Sequence, residues 1–100
     1  VMLDHNRLQI DGANDAVLSL GDIVGKFAAF GFDTYTVDGH NIDAVTAALK
    51  APFTSGKPKF ICLETIKGKG VSFMENQAGW HGTAIKTADY EAAMKELEAL

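Results

Sequence analysis

The sequence predicts an α/β fold in which a parallel sheet carries flanking helices. Three segments have strand character: the apolar run Val1–Leu3, the β-branched and aromatic run Phe32–Val37, and the nearly continuous apolar run Lys59–Ile66. Helical periodicity lies between the second and third, and also between the first and second. The resulting order of strand, helix, strand, helix and strand predicts β-α-β units on a parallel sheet. The last run has the pattern of a strand covered on both faces.

Composition limits the chain to one small globular domain. It has 100 residues, of which 47% are hydrophobic and 22% charged. The net charge is −4 and the lysines are sparse, so we expect no nucleic-acid partner. No stretch is long and apolar enough to span a membrane, and no signal peptide is visible.

The single cysteine, Cys62, lies inside an apolar run and is expected to be a small buried hydrophobe. Its isolation excludes a disulfide within the chain and favours a reducing, cytoplasmic location. Val1 is not an initiator methionine and already lies inside a predicted strand. We therefore expect residues 1–100 to be a fragment of a larger chain.

Polar residues follow the first strand at Asp4–Arg7. Ligands of open α/β sheets bind at the carboxyl ends of strands, so this position is a first candidate for a site. The side-chain oxygen of Asn6 and the backbone oxygen of Leu8 are ligands that suit Mg²⁺. On spacing alone, an asparagine after a strand is more often a turn former than a metal ligand.

The helices have recognisable boundaries. Residues 13–18 are weakly patterned and predict a loop; Ser19 is then predicted to cap a helix, with Asp22 completing a capping box and Gly31 ending it. The segment Asp38–Asn41 breaks the second strand, and His40 within it is given a turn or capping role.

The second helix is expected to reach Lys50, with Pro52 as its stop, and residues 54–58 to form a polar loop. From Lys67 to Lys86 hydrophobic periodicity disappears, which is typical of a functional or mobile segment. Thr87 is predicted to cap a final helix. One face of that helix carries Tyr90, Ala93, Met94 and Leu97.

Two short motifs lie in or beside the aperiodic segment. K-G-K-G at 67–70 places Lys67 at the exit of the third strand, where an ammonium group could neutralise a phosphate. Its glycines would let the backbone approach a ligand, although the motif by itself is more typical of a solvated lysine pair. W-H-G at 80–82 carries His81, an imidazole that can exchange protons near neutral pH, beside Trp80, which we expect to anchor the loop by packing.

The pattern D-x-N-R-L-Q-I-D-G at residues 4–12, followed by K-G-K-G and W-H-G, resembles transketolases, in particular their N-terminal half or subunit. The resemblance covers nearly the whole chain. It implies that residues 1–100 are the C-terminal portion of a thiamine-diphosphate-binding domain, a partial fold. The Gly-Asp-Gly turn that opens the family's cofactor motif would lie upstream of Val1.

The resemblance also implies roles for single residues. Asn6 and the backbone of Leu8 would bind Mg²⁺, or Ca²⁺, on the cofactor diphosphate. Lys67 would lie beside the diphosphate, and Ile10 would pack against the cofactor ring unless it merely fills core. His81 would contact the cofactor and the substrate oxygen and handle a proton. Asp11–Gly12 is read as a turn, and Lys69 is left in solvent.

The implied activity is transfer of a two-carbon ketol unit from a ketose phosphate to an aldose phosphate. The implied partners are the remaining transketolase domains or a C-terminal subunit, in a homodimer or heterotetramer. The isolated stretch is expected to be inactive. Two alternatives stay open: a sister enzyme of the deoxyxylulose-phosphate synthase or 2-oxo acid dehydrogenase type, and a noncatalytic α/β assembly module.

Overall fold

The computed structural model describes residues 1–54 and 56–100. Its strands are β1 Met2–His5, β2 Leu8–Gln9, β3 Gly12–Ala13, β4 Asp33–Asp38 and β5 Lys59–Glu64. Its helices are α1 Asn14–Val17, α2 Ile23–Ala29, α3 Ile42–Lys50, a 3₁₀ helix Ala78–His81 and α4 Thr87–Leu97. The predicted loop 54–58 includes Ser55, which lies outside the described residues. None of the helices in the described part of the chain has the length and hydrophobicity needed to cross a bilayer.

The chain forms two compact units. The first comprises residues 1–6 and 19–65, and the second comprises residues 7–18 and 66–100.

The first unit contains the predicted parallel sheet, with β5 between β1 and β4. Both neighbours run parallel to β5. Residues 59–62 of this central strand are buried, which confirms the expectation of a strand covered on both faces. The α/β class with a parallel sheet and flanking helices is therefore confirmed.

Helices α2 and α3 cover opposite faces of that sheet. The ring of Phe27 in α2 stacks on Phe60 at a centroid distance of 3.8 Å. The ammonium group of the preceding residue, Lys59, donates to the carbonyl oxygens of Ala48 and Leu49 at the end of α3. Successive strand residues point to opposite faces, so the two helices lie on different sides.

The start of α2 differs from the prediction. Asp22, not Ser19, is the N-cap: its carboxylate accepts a hydrogen bond from the N–H of Gly25 at 2.8 Å. Gly21 has a φ of 56°, outside the helical region, so the helix cannot extend back to Leu20.

The predicted end of α2 is confirmed. Gly31 has a φ of 89°, and its N–H bonds to the carbonyl of Ala28. The N–H of Phe32 bonds to the carbonyl of Phe27, which completes a Schellman motif.

Other boundaries shift slightly. Strand β1 continues through Asp4 and His5, which the sequence placed in a loop, and β5 ends at Glu64 rather than Ile66. The cap of α4 is Lys86, whose N–H donates to the carboxylate of Asp89 at 3.3 Å; Thr87 is the first helical residue.

In the second unit, the prediction of a loop at residues 13–18 is wrong. Strands β2 and β3 pair antiparallel, with Leu8 opposite Ala13 and Gln9 opposite Gly12, and α1 follows directly. The turn lies at Ile10–Asp11, one residue before the predicted Asp11–Gly12. Two-residue strands are too short for an alternating pattern to reveal them.

Candidate functional site

The chain bends at Arg7, immediately after Asn6. Arg7 has a φ of 63°, which is uncommon for a residue other than glycine. Its carbonyl oxygen accepts a hydrogen bond from the N–H of Asn14 at 2.9 Å, so these two form a hydrogen-bonded pair. In an antiparallel ladder the backbone groups of the next pair, Leu8 and Ala13, point away from each other. The carbonyl oxygen of Leu8 is therefore directed away from β3.

Asn6 itself is half-buried and follows the last residue of β1. The register of the sheet places His5, at the end of β1, opposite Glu64, at the end of β5. Asp4 and Thr65 are joined by a hydrogen bond between their side chains. The carboxyl ends of the two strands thus meet at one edge of the sheet, where the polar residues were expected.

Ile10 lies at the turn of the hairpin and is 67% exposed. It therefore does not fill core, which removes the simpler of its two interpretations. Single exposed apolar side chains are common on protein surfaces, so the exposure of Ile10 assigns it no role by itself.

The K-G-K-G turn uses its glycines for packing within the chain. A Cβ at Gly68, where φ is 73°, would lie 2.7 Å from the backbone of Met74. A Cβ at Gly70, where φ is 94°, would lie 3.2 Å from the side chains of Leu97 and Leu100. The close backbone approach predicted from these glycines is thus an approach to the chain itself.

The two lysines of this turn differ. Lys67 is half-buried, and its carbonyl oxygen accepts from the N–H of Asn76 at 3.0 Å. Lys69 is half-exposed and its ammonium group lies 3.6 Å from a carboxylate oxygen of Glu75. Lys69 is exposed to solvent, as expected, and in addition forms this intrachain ion pair.

His81 is the last residue of the 3₁₀ helix and is exposed. Trp80 beside it donates from its indole nitrogen to the carbonyl oxygen of Phe73 at 3.1 Å, and the two rings pack at 5.7 Å. These contacts confirm that Trp80 anchors the loop. Both β2 and β3 lie against the 3₁₀ helix, so the elements carrying Leu8 and His81 adjoin.

The segment between Lys67 and His81 is also tied to α4. The hydroxyl of Ser72 donates to the Glu96 carboxylate at 2.7 Å, and the Ser72 N–H donates to the same carboxylate. The hydrogen bond from the Ser72 N–H and, to a smaller extent, the one from its hydroxyl lower the pKa of Glu96 below its ordinary value.

Of the predicted site residues, Leu8, Ile10, Lys67 and His81 belong to the second unit, and Asn6 belongs to the first. The Asn6 side chain and the Leu8 backbone each offer an oxygen atom, the kind of hard donor that Mg²⁺ takes. The ammonium of Lys67 suits an anionic diphosphate. The residue chemistry therefore fits a metal-bound diphosphate.

Sequence reasoning missed a cluster on the sheet, formed by His5, Cys62 and Glu64. The Nδ1 atom of His5 lies 2.9 Å from the Oε1 atom of Glu64, and the Sγ atom of Cys62 lies 3.9 Å from the same oxygen. Cys62 and Glu64 are two residues apart in β5, so they share a face. The spacing of Cys62 and Glu64 can be read from the sequence. Their partner on β1, His5, is identified only by the register of the two strands.

Comparison with known proteins decides the family. A family model described as "Transketolase, thiamine diphosphate binding domain" matches residues 1–98. The chain belongs to the transketolase family.

Individual transketolase relatives agree. A 6-deoxy-6-sulfo-D-fructose transketolase subunit from Clostridium sp. strain MSTE9 is 40% identical over 96 residues, covering 95% of this chain and 35% of the relative. A subunit of the apulose-4-phosphate transketolase from Phocaeicola vulgatus is 35% identical, covering 96% of this chain and 34% of the relative. A transketolase from Sinorhizobium medicae is 35% identical, covering 97% of this chain and 14% of the relative.

This transketolase-family chain therefore spans about a third of the length of the two subunit relatives.

Proposed function

We propose that this chain is the C-terminal portion of the cofactor-binding domain of a transketolase that transfers a two-carbon ketol unit from a ketose phosphate to an aldose phosphate. The family match over residues 1–98 carries this proposal. When bound, thiamine diphosphate supplies the carbanion-stabilising chemistry on which cleavage and formation of the carbon–carbon bond depend. The residues of this chain would bind and orient the cofactor, and one of them would move a proton.

The metal-binding role belongs to Asn6 and Leu8. The Asn6 side-chain oxygen and the Leu8 carbonyl oxygen would bind Mg²⁺, or Ca²⁺ in its place. The hydrogen bond from Asn14 to Arg7 supports this role, because the alternation of the ladder then directs the Leu8 carbonyl away from β3. Mg²⁺ commonly combines a few protein oxygens with substrate phosphates, so these two ligands suit a diphosphate-bound ion.

Diphosphate binding and cofactor packing belong to two further residues. The ammonium of Lys67 would donate to a diphosphate oxygen, which fits its place shortly after β5. Ile10 would pack against the cofactor ring, and its exposure at the hairpin turn is compatible with that contact.

Proton handling would belong to His81. An imidazole at this position can donate a proton to the substrate oxygen as negative charge develops there, and then recover it. The exposure of His81 at the end of the 3₁₀ helix supports access to substrate. Trp80 keeps that helix in place through its bond to Phe73.

The remaining protein would complete the enzyme. Sugar-phosphate recognition and the other essential cofactor contacts would come from the remaining transketolase domains or from a C-terminal subunit. Two relatives are themselves named subunits, which supports a separate partner and a homodimeric or heterotetrameric assembly. The single cysteine favours a cytoplasmic enzyme.

The test uses the full-length protein with its partner subunit, if it has one. We expect ketol transfer between sugar phosphates that requires both thiamine diphosphate and Mg²⁺, and no turnover of pyruvate. Turnover of pyruvate instead would favour a sister enzyme. Absence of any calorimetric heat with cofactor and Mg²⁺ would indicate an assembly module and contradict the proposal.

A matched pair of variants tests the role of the histidine. His81→Gln should lower kcat by about 10²–10⁴-fold, the usual contribution of a positioned acid or base. His40→Gln removes a histidine from the turn before α3 and should leave kcat near the wild-type value. Equal activity of the two variants would contradict the role given to His81.

A further inference from the structure

We propose that His5, Cys62 and Glu64 form a binding site for a thiophilic divalent cation of the Zn²⁺ class. Its three residues differ from Asn6 and Leu8, to which the oxygen-ligand site is assigned. The proposal does not depend on the proposed function, because all three residues lie within one compact unit and are placed by the sheet alone.

The sheet register assembles the three side chains. His5 of β1 is the direct partner of Glu64 of β5 in the parallel ladder. Cys62 precedes Glu64 by two residues and therefore points to the same face. The face is that of Phe60, which packs under Phe27 of α2. Rigid strands rather than a loop hold all three ligands.

The distances are close to those of a coordination sphere. One potential ligand atom from each residue, a ring nitrogen of His5, the Sγ atom of Cys62 and a carboxylate oxygen of Glu64, lies within 4.8 Å of the others. Around tetrahedral zinc, with bonds of about 2.0–2.3 Å, neighbouring ligand atoms lie about 3.3–3.8 Å apart. The Sγ–Oε1 distance of 3.9 Å nearly meets this value. The Nδ1–Oε1 distance of 2.9 Å needs to open by about half an ångström.

The burial of the three side chains and the chemistry of their ligand atoms indicate which ion would bind. Cys62 is fully buried, whereas the side chains of His5 and Glu64 are 21% and 36% exposed. The site is thus closed on the cysteine side and open on the carboxylate side, which gives an ion a route in. Imidazole with sulfur favours Zn²⁺ over Mg²⁺, and three protein ligands leave a fourth position for water.

An ion pair between His5 and Glu64 that merely joins the two strands is the competing explanation. It accounts for the 2.9 Å contact but gives the thiol no part in binding. The role of Cys62 therefore discriminates between the two, and the experiment must report on sulfur.

The experiment titrates the full-length, assembled protein with Co²⁺ and Zn²⁺ in the presence of millimolar Mg²⁺. We expect a thiolate-to-cobalt charge-transfer band in the near ultraviolet, lost in Cys62→Ser, and one Zn²⁺ bound per chain in competition with a chromophoric chelator. Cys62→Ser and Glu64→Gln should each weaken Zn²⁺ binding by at least the roughly 10- to 100-fold that follows loss of an outer-shell partner alone.

His40→Gln is the matched control and should bind Zn²⁺ like the wild type. Circular dichroism verifies that Cys62→Ser and Glu64→Gln are folded, and the two variants report independently if one is not. Zn²⁺ binding by folded Cys62→Ser at wild-type affinity, or a cobalt complex without the charge-transfer band, would overturn the proposal.

Discussion

The ammonium group of Lys59 lies 2.8 Å from the carbonyl oxygen of Ala48, at the end of α3. The same nitrogen donates to the carbonyls of Leu49 and Ala51 and lies 4.6 Å from the ring centroid of Phe53. Lys59 is the first residue of the central strand and is buried. A single cation therefore attaches α3 to the middle of the sheet.

Lys59→Met should lower the free energy of unfolding by about 1.5–3 kcal/mol, because it removes charge-assisted hydrogen bonds and leaves carbonyls at the helix end without that donor. Lys57→Met is the control. Lys57 is half-exposed and 4.0 Å from Asp33, so its loss should cost about 0–1 kcal/mol. Urea unfolding of both variants measures the difference; equal midpoints would contradict the role of Lys59.

Gly39 lies where β4 turns toward α3, against the neighbouring strand. A Cβ there would overlap the Thr65 side chain and lie 3.0 Å from the Cβ of Leu63. Gly39→Ala should destabilise the fold by about 1–3 kcal/mol, the usual cost of overpacking. Gly79→Ala has nothing within 4 Å of the added atom and should be nearly neutral. Thermal unfolding compares the two, and similar midpoints would show that the turn adapts.

The sheet could be predicted from the sequence because its signals are local and redundant. The run 59–66 is apolar, Phe32–Val37 is rich in β-branched and aromatic residues, and Gly31 supplies the left-handed C′ residue that ends α2. Strand ends were less accurate, since Asp4 and His5 are polar residues that remain in β1. Polar side chains indicate exposure to solvent, and residues at the edge of a sheet can be exposed while they still belong to a strand.

Contacts that depend on register or on long side chains could not be predicted. The hairpin of β2 and β3 rests on two residue pairs, and Lys59 was placed in an apolar run with no sign of its bonds to α3. The motifs that contain Asn6, Lys67 and His81 could be recognised in the sequence from their order along the chain. The pairing of His5 with Glu64 required the parallel register.

Acid should loosen the attachment of Ser72 to α4. The pKa of Glu96 is lowered in the folded state by the backbone N–H and hydroxyl of Ser72. A carboxyl group with a depressed folded pKa contributes stability above its unfolded pKa, and the contribution is lost as the pH falls through the folded value. The loss should therefore begin near the ordinary glutamate pKa of about 4.3 and continue as the pH falls through the lower folded pKa.

Glu96→Gln should remove this part of the pH dependence of unfolding. Wild type and variant should differ in stability at pH 7 and converge at low pH. Glu91→Gln removes a carboxylate from the same helix without touching Ser72 and controls for net charge. A Glu96→Gln curve parallel to that of the wild type at every pH would contradict the prediction.

The two lysines of K-G-K-G offer an internal comparison. Lys67→Met should weaken thiamine diphosphate binding by the full-length protein about 10- to 100-fold, since a hydrogen bond to a charged group contributes about 1.5–3 kcal/mol. Lys69→Met should change the affinity little, because Lys69 pairs with Glu75. Isothermal titration with Mg²⁺ present measures both. A larger loss for Lys69→Met would exchange the roles of the two residues.

The proposal that Asn6, Leu8, Lys67 and His81 contact one metal-bound cofactor is tested most directly by a crystal structure of the full-length protein with thiamine diphosphate and Mg²⁺. We expect the Asn6 side-chain oxygen and the Leu8 carbonyl oxygen at about 2.0–2.1 Å from the metal. We also expect the Lys67 ammonium in hydrogen-bond contact with the diphosphate, and His81 facing the cofactor. A metal bound without Asn6 and Leu8, or a diphosphate held away from Lys67, would contradict this proposal.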